Sequence, residues 1–157
     1  MKNNIFSRST RECLFDELNN DLIKLFKDLF LRNDFPGIES KIISCFETES
    51  LRKKIFSVKT EYTGIILTPD ILFWGMAGNK NPGVAAAVIK EISDVKDYEK
   101  SENYEIMNDN GLLIFGFIRH ASLRSEWFIG LGEDKVGERC RHLLRALIDK
   151  KDEKKSV

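Results

Sequence analysis

The residues grouped most suggestively for binding are Arg52, Lys53 and Lys54, with Lys59 five positions after Lys54. Ammonium and guanidinium groups give charge-assisted hydrogen bonds to phosphate oxygens, so this run is a candidate site for an anionic surface. A solvated basic turn is its plain alternative. The segment Gly75-Met76-Ala77-Gly78-Asn79-Lys80-Asn81-Pro82-Gly83 offers glycine-rich backbone of the kind that cradles anions. It lacks the terminal Gly-Lys-Ser or Gly-Lys-Thr and the following helix that a phosphate loop requires, so it reads as a hairpin loop. Arg119-His120, with Ser122, Arg124 and Ser125 close by, comes nearest to a general-base or anion site. No orienting carboxylate, nucleophile or metal-ligand set completes it, and His142 is the one other histidine. A non-enzyme is expected, with a small enzyme of unrecognised class as a distant alternative.

Charge and cysteine content narrow the classes further. The 25 basic and 25 acidic residues cancel, which argues against a general nucleic-acid footprint. Cys13, Cys45 and Cys140 are odd in number, widely spaced and outside any paired ligand motif. They read as buried thiols in a reducing cytoplasm, with no metal and no cofactor implied. Residues 1–10 are polar apart from Ile5 and Phe6 and lack the apolar centre of a secretory signal. No run approaches the roughly 20 apolar residues of a membrane span. A cytoplasmic protein, soluble or peripheral to a membrane, is the expectation.

At 157 residues the chain suits one domain with an appendage. A helical pattern covers residues 9–32, where Leu14, Leu18, Leu22, Leu25, Phe26 and Leu29 fall on one stripe and Ser9 with Glu12 matches a capping box. Asn19-Asn20-Asp21 weakens its middle enough to allow two short helices. The stripe needs cover, from the domain or from a second copy, and Leu18, Leu22, Leu25, Phe26 and Leu29 are the candidate interaction surface. After Pro36-Gly37, strands are predicted at 39–48, 57–68, 71–76, 84–98, 103–108, 112–118 and 125–131. Pro69-Asp70, Asn81-Pro82-Gly83 and Asp109-Asn110-Gly111 supply turn chemistry, and Asn110-Gly111 is the strongest hairpin signal. A last helix is predicted over 133–150, with Val136, Cys140, Leu143, Leu144 and Leu147 inward and the pairs Glu138 with His142 and Arg145 with Asp149 outward. Trp127 and Phe128 are adjacent in a strand and must point to opposite faces, so each needs its own cover.

Seven short strands and a closing helix resemble, in their order, the pleckstrin-homology-like superfold. Gly64-Ile65-Ile66-Leu67-Thr68-Pro69-Asp70-Ile71-Leu72-Phe73-Trp74 resembles the second and third strands of bacterial members of the PH-like and GRAM-like group. Ile89-Lys90-Glu91-Ile92-Ser93-Asp94-Val95 is similar to the next strand, and Gly111-Leu112-Leu113-Ile114-Phe115 to a later one. The resemblance spans about 39–150. It implies an α+β, mainly β fold: a seven-stranded sandwich or barrel capped by a C-terminal helix, with an added N-terminal helix. The corresponding division is a helical appendage at 1–35, the PH-like domain at 36–150 and a charged tail at 151–157. It also implies that the loop holding Arg52, Lys53 and Lys54 faces phosphates. Val58-Lys59-Thr60-Glu61 stands where lipid-specific members end their basic pattern in Arg, so general attraction to anionic lipid is implied rather than recognition of one phosphoinositide. The leading expectation is a protein-interaction or scaffolding module that binds a protein partner or itself, with peripheral binding to anionic membrane lipid as the alternative.

Overall fold

In the computed structural model, residues 4–118 and 123–155 are described. Eight strands and two helices follow in the order β1 (Ser7–Cys13), α1 (Asn20–Arg32), β2 (Ser44–Lys53), β3 (Val58–Leu67), β4 (Ile71–Ala77), β5 (Gly83–Val88), β6 (Ile92–Asp97), β7 (Gly111–Ile118), β8 (Leu123–Gly130) and α2 (Lys135–Lys155). The fold is α+β and mainly β. One antiparallel sheet has the order β1-β2-β3-β4-β5 and a second the order β6-β7-β8, so two sheets face each other and do not close into a barrel.

The runs Ile65-Ile66-Leu67 and Leu72-Phe73 explain the layering. Successive strand residues point to opposite faces, so an unbroken apolar run needs cover on both sides of the sheet. Ile65, Leu67 and Leu72 face Ile92, Leu112, Ile114 and Ile129 of the second sheet and Leu144 of α2. Ile66 and Phe73 face the other way, into a second core with Leu22, Phe26, Leu29 and Phe30 of α1. Phe30 meets Phe73 edge-on at 5.1 Å between ring centroids. Gly64 permits the close approach of α1, because a Cβ there would lie 2.9 Å from Phe26 Cε2 and 3.2 Å from Leu22 Cδ1.

Several predicted elements are replaced. Residues 9–32 are not one helix: Ser9 and Glu12, expected as a capping box, lie in β1, and the helix starts only at Asn20, where the Asn19 carboxamide accepts from the Asp21 N–H. The strand predicted at 84–98 is two strands separated by a single 3-10 turn at Ile89–Glu91, which carries the chain from one sheet to the other. Residues 103–108 form no strand; a 3-10 turn occupies Glu102–Glu105, and the Tyr98 hydroxyl donates to Met107 O at 2.8 Å across it. Asn110-Gly111 is no hairpin tip either, since the strands it separates, β6 and β7, are joined by the long connection 98–110. α2 runs on to Lys155, and the Lys151 ammonium donates to Ile92 O.

The outward pairs expected on α2 are also replaced. Arg145 reaches Asp97 at 2.8 Å, because α2 lies against the end of β6 and offers this cation a partner off the helix, while Glu138 pairs with Arg141 at 3.2 Å, three residues on along α2. Burial pushes the Asp97 carboxyl up, but the Arg145 hydrogen bond and the charges of Arg145, Arg141 and Lys100 outweigh it and hold the group below its usual range. A carboxyl lowered in the folded state stabilises above its unfolded pKa and loses that contribution as pH falls through its folded value. Asp97→Asn is therefore expected to lower the melting temperature most between pH 6 and pH 8, where that contribution is fully present, and least below about pH 4, so that the acid limb is flattened. An unchanged acid limb in a thermal-melt series would show that Asp97 carries no pH-linked stability.

Candidate functional site

The basic run sits at the tip of the β2–β3 hairpin. Arg52 lies directly across from Lys59 and Lys53 from Val58, and the loop is closed by the Lys54 N–H donating to Ser57 O at 2.8 Å. Tight turns favour Gly, Asn, Asp or Ser, whose free backbone or short polar side chains suit the bend. Here the outermost positions are Ile55 and Phe56, 91% and 98% exposed, with Val58 exposed beside them. Asp34 is the one non-glycine with positive φ among the described residues, so this tip is built without a left-handed residue. Nothing in the turn geometry demands an Ile-Phe pair in water.

Arg52, Lys53 and Lys54 are arrayed around that apolar pair, the two lysines exposed and Arg52 beside them. Arg52 lies 6.0 Å over the Phe6 ring. Lys59 differs from the other three, because its ammonium is 2.9 Å from the buried Glu61 carboxylate and its charge is already answered. Lys80, in the glycine-rich β4–β5 loop, is exposed at the same end. The loop is held there by Gly78, whose φ of +83° and 2.8 Å approach of any Cβ to Thr60 O exclude a side chain. Exposed Ile106 and Met107 adjoin this end through the N-terminal segment, where the Ile5 N–H donates to Asn108 O at 3.3 Å. Sequence reasoning finds the cations and misses Ile55 and Phe56. The signal that marks them is an apolar pair following a run of three cations, at a position where turn chemistry is due.

The other candidates fall elsewhere. Leu18, Leu22, Phe26 and Leu29 are buried in the core between α1 and the five-stranded sheet, and Leu25 packs partly buried against it. Their stripe is covered within the chain. Arg119, His120 and Ser122 lie outside the described residues. Among the described residues no cluster of three or more His, Cys, Asp or Glu is placed to hold a metal ion. Trp127 stacks on Trp74 at 4.4 Å and 2° between the two sheets, while Phe128 is covered by the edge of Tyr98 at 5.0 Å and the Arg8 guanidinium at 5.5 Å. Both aromatics thus find ring partners within the chain and remain half-buried. A cavity of about 260 Å³ opens beside them, lined by Arg8, Trp74, Met76, Asn81 and Phe128. Its one cation, Arg8, is committed to Asp109 and Ser50.

Comparison with known proteins returned no match to the chain from any protein-family model, curated protein or solved structure. Among the described residues no helix is long and apolar enough to cross a membrane.

Proposed function

We propose that this chain is a non-enzymatic binding module of pleckstrin-homology-like architecture that docks on anionic membranes through its β2–β3 hairpin. Strands β2 to β5, then β6 to β8, then α2 supply the order of elements behind that family reading, with β1 and α1 as additions. One observation carries the functional part: Ile55 and Phe56 stand almost fully exposed at a hairpin tip next to Arg52, Lys53 and Lys54.

Stable attachment to a bilayer surface takes two signals, an apolar one and a basic one. Burying an Ile or Phe side chain is worth about 1.5–3 kcal/mol. Each juxtamembrane cation adds about 1 kcal/mol on an anionic leaflet. Two apolar and three basic side chains together reach the range of reversible, peripheral attachment. A scaffolding role is the second reading, placed at this tip instead of α1: the same pair fits an apolar, acid-rimmed pocket on a protein.

Co-sedimentation with phosphatidylcholine vesicles, with and without phosphatidylserine, separates the two. The intact chain is expected to bind the anionic vesicles, more weakly as salt rises. Ile55→Ser with Phe56→Ser is expected to weaken binding at least tenfold at every salt concentration. Replacing Arg52, Lys53 and Lys54 by Ala is expected to weaken it most at low salt, while Lys59→Ala changes little. No binding of the intact chain to anionic vesicles at low salt would sink the membrane reading and leave the protein-pocket one.

A further inference from the structure

We propose that Cys13 and Cys45 form a cross-strand disulfide when the protein meets a disulfide oxidant, fastening the edge strand β1 covalently to its sheet. The register of β1 on β2 sets Cys13 directly opposite Cys45. Opposed residues in an antiparallel pair share one face of the sheet. The Thr10 N–H turns away from β2 to Asp134, so Thr10 and Thr48 form a pair without mutual hydrogen bonds. Three residues on, Cys13 and Cys45 therefore fall on a hydrogen-bonded pair, with Cα atoms about 5.5 Å apart. That Cα separation lies within the disulfide window, while the Cβ atoms, about 5.5 Å apart in such a pair, draw together by about 1 Å as the bond closes.

Both thiols are free, Cys13 half-buried and Cys45 buried, and both line one open cleft of about 510 Å³ together with Glu12, Leu14, Phe15 and Ser44. Cys140 is no competitor, since it is packed with Leu144 in the core between the sheets. Burial pushes the Cys45 thiol up to about 12. Burial also pushes Cys13 up, helped by Glu47, Glu17 and Glu12 and opposed by Arg11. Thiolates are scarce at neutral pH, so the half-buried Cys13 reacts first and slowly.

With glutathione disulfide as oxidant, the deprotonated Cys13 sulfur attacks one glutathione sulfur. The oxidant's S–S bond breaks, a mixed disulfide forms, and one glutathione thiolate leaves and takes up the proton lost by Cys13. The Cys45 sulfur, after giving up its proton, attacks the Cys13 sulfur, forms the protein disulfide and expels the second glutathione. Two protein thiols are oxidised and one glutathione disulfide is reduced to two glutathiones. The bond encloses α1 between its two cysteines and holds the strand that carries Arg8 and Thr10.

The test uses the full chain, incubated folded at pH 8.5 with glutathione disulfide, then alkylated and mapped by mass spectrometry without reduction. The expected product is a monomer with a Cys13–Cys45 linked peptide, one alkylated thiol at Cys140, and a melting temperature raised by about 5–10 °C. Cys140→Ser should leave the link intact and Cys13→Ser should abolish it. A lasting glutathione adduct on Cys13, a link between chains, or a link that forms only in denaturant would each overturn the proposal.

Discussion

A chain shortened to begin at Asp34 is expected not to fold. The missing segment contains both β1 and α1, and each closes a part of the molecule that nothing else covers. Removing α1 uncovers Ile66 and Phe73, both fully buried, and takes away Leu22 and Phe26, also fully buried. Each such side chain is worth about 1.5–3 kcal/mol of burial, so a handful of them matches the whole stability of a typical domain, about 5–15 kcal/mol. Removing β1 then strips β2 of one of its two ladders and breaks the ties that hold β1 to the segment between β8 and α2. Thr10 is one such tie: its N–H donates to Asp134 at 2.9 Å and its hydroxyl accepts from the Gly132 N–H at 2.9 Å. The same Asp134 carboxylate accepts from Gly137 at the start of α2, so β1 also helps seat that helix. Far-UV circular dichroism through a thermal ramp, with size exclusion and light scattering, is the measurement. The expected result is an aggregating species without a cooperative transition. A soluble monomer with a cooperative melt would show that residues 1–33 are dispensable to the core.

The pattern of the sequence is most legible where one residue period rules. β3, β4 and β7 are readable from dense apolar runs, and α2 from its inward stripe, because burial of those side chains dominates their local choices. β1 is not. Its residues Ser7-Arg8-Ser9-Thr10-Arg11-Glu12-Cys13 show no apolar alternation, since its inward positions hold Thr10 against Thr48 at 2.8 Å and Arg8 against Asp109 at 2.7 Å. Polar side chains reveal a buried face only when their partners are known, and those partners lie 38 and 101 residues away. The stripe Leu14, Leu18, Leu22 invites a longer helix, yet Leu14 is exposed and Leu18 is presented from an extended cap after a 3-10 turn. At the candidate site the cations are visible from composition alone. The apolar tip is not, because the predicted strands 39–48 and 57–68 leave 49–56 as one long connection, and only β2, which runs on to Lys53, narrows the turn to the four residues that hold Ile55 and Phe56.

Asp109→Ala is expected to cost about 3–5 kcal/mol, the figure for leaving one member of a buried ion pair without its partner. The pair is bidentate, with Arg8 Nε to Oδ1 and Nη2 to Oδ2 both at 2.7 Å, and the two side chains are 4% and 5% exposed. Arg8 Nη1 donates to Ser50 Oγ at 2.6 Å, and the guanidinium lies 4.6 Å over Phe6. No other carboxylate is hydrogen-bonded to Arg8 among the described residues, so the truncation strands a charge between the sheets. Asp109 and Asn110 thus spend on a long-range clamp the residue types that ordinarily build a turn: the Asn110 N–H donates to Oδ1 of Asp109 at 2.7 Å, orienting the carboxylate toward Arg8. Replacing both partners, Arg8→Met with Asp109→Leu, is expected to lose less than Asp109→Ala alone, because a buried charge left without its partner costs more than the absence of the whole pair. Urea melts of the wild type, Arg8→Met, Asp109→Leu and the double variant complete the cycle, and a coupling of more than about 1 kcal/mol is expected. A loss below about 1 kcal/mol for Asp109→Ala would be the value of a solvated surface pair, and would mean that water reaches Arg8 between the sheets.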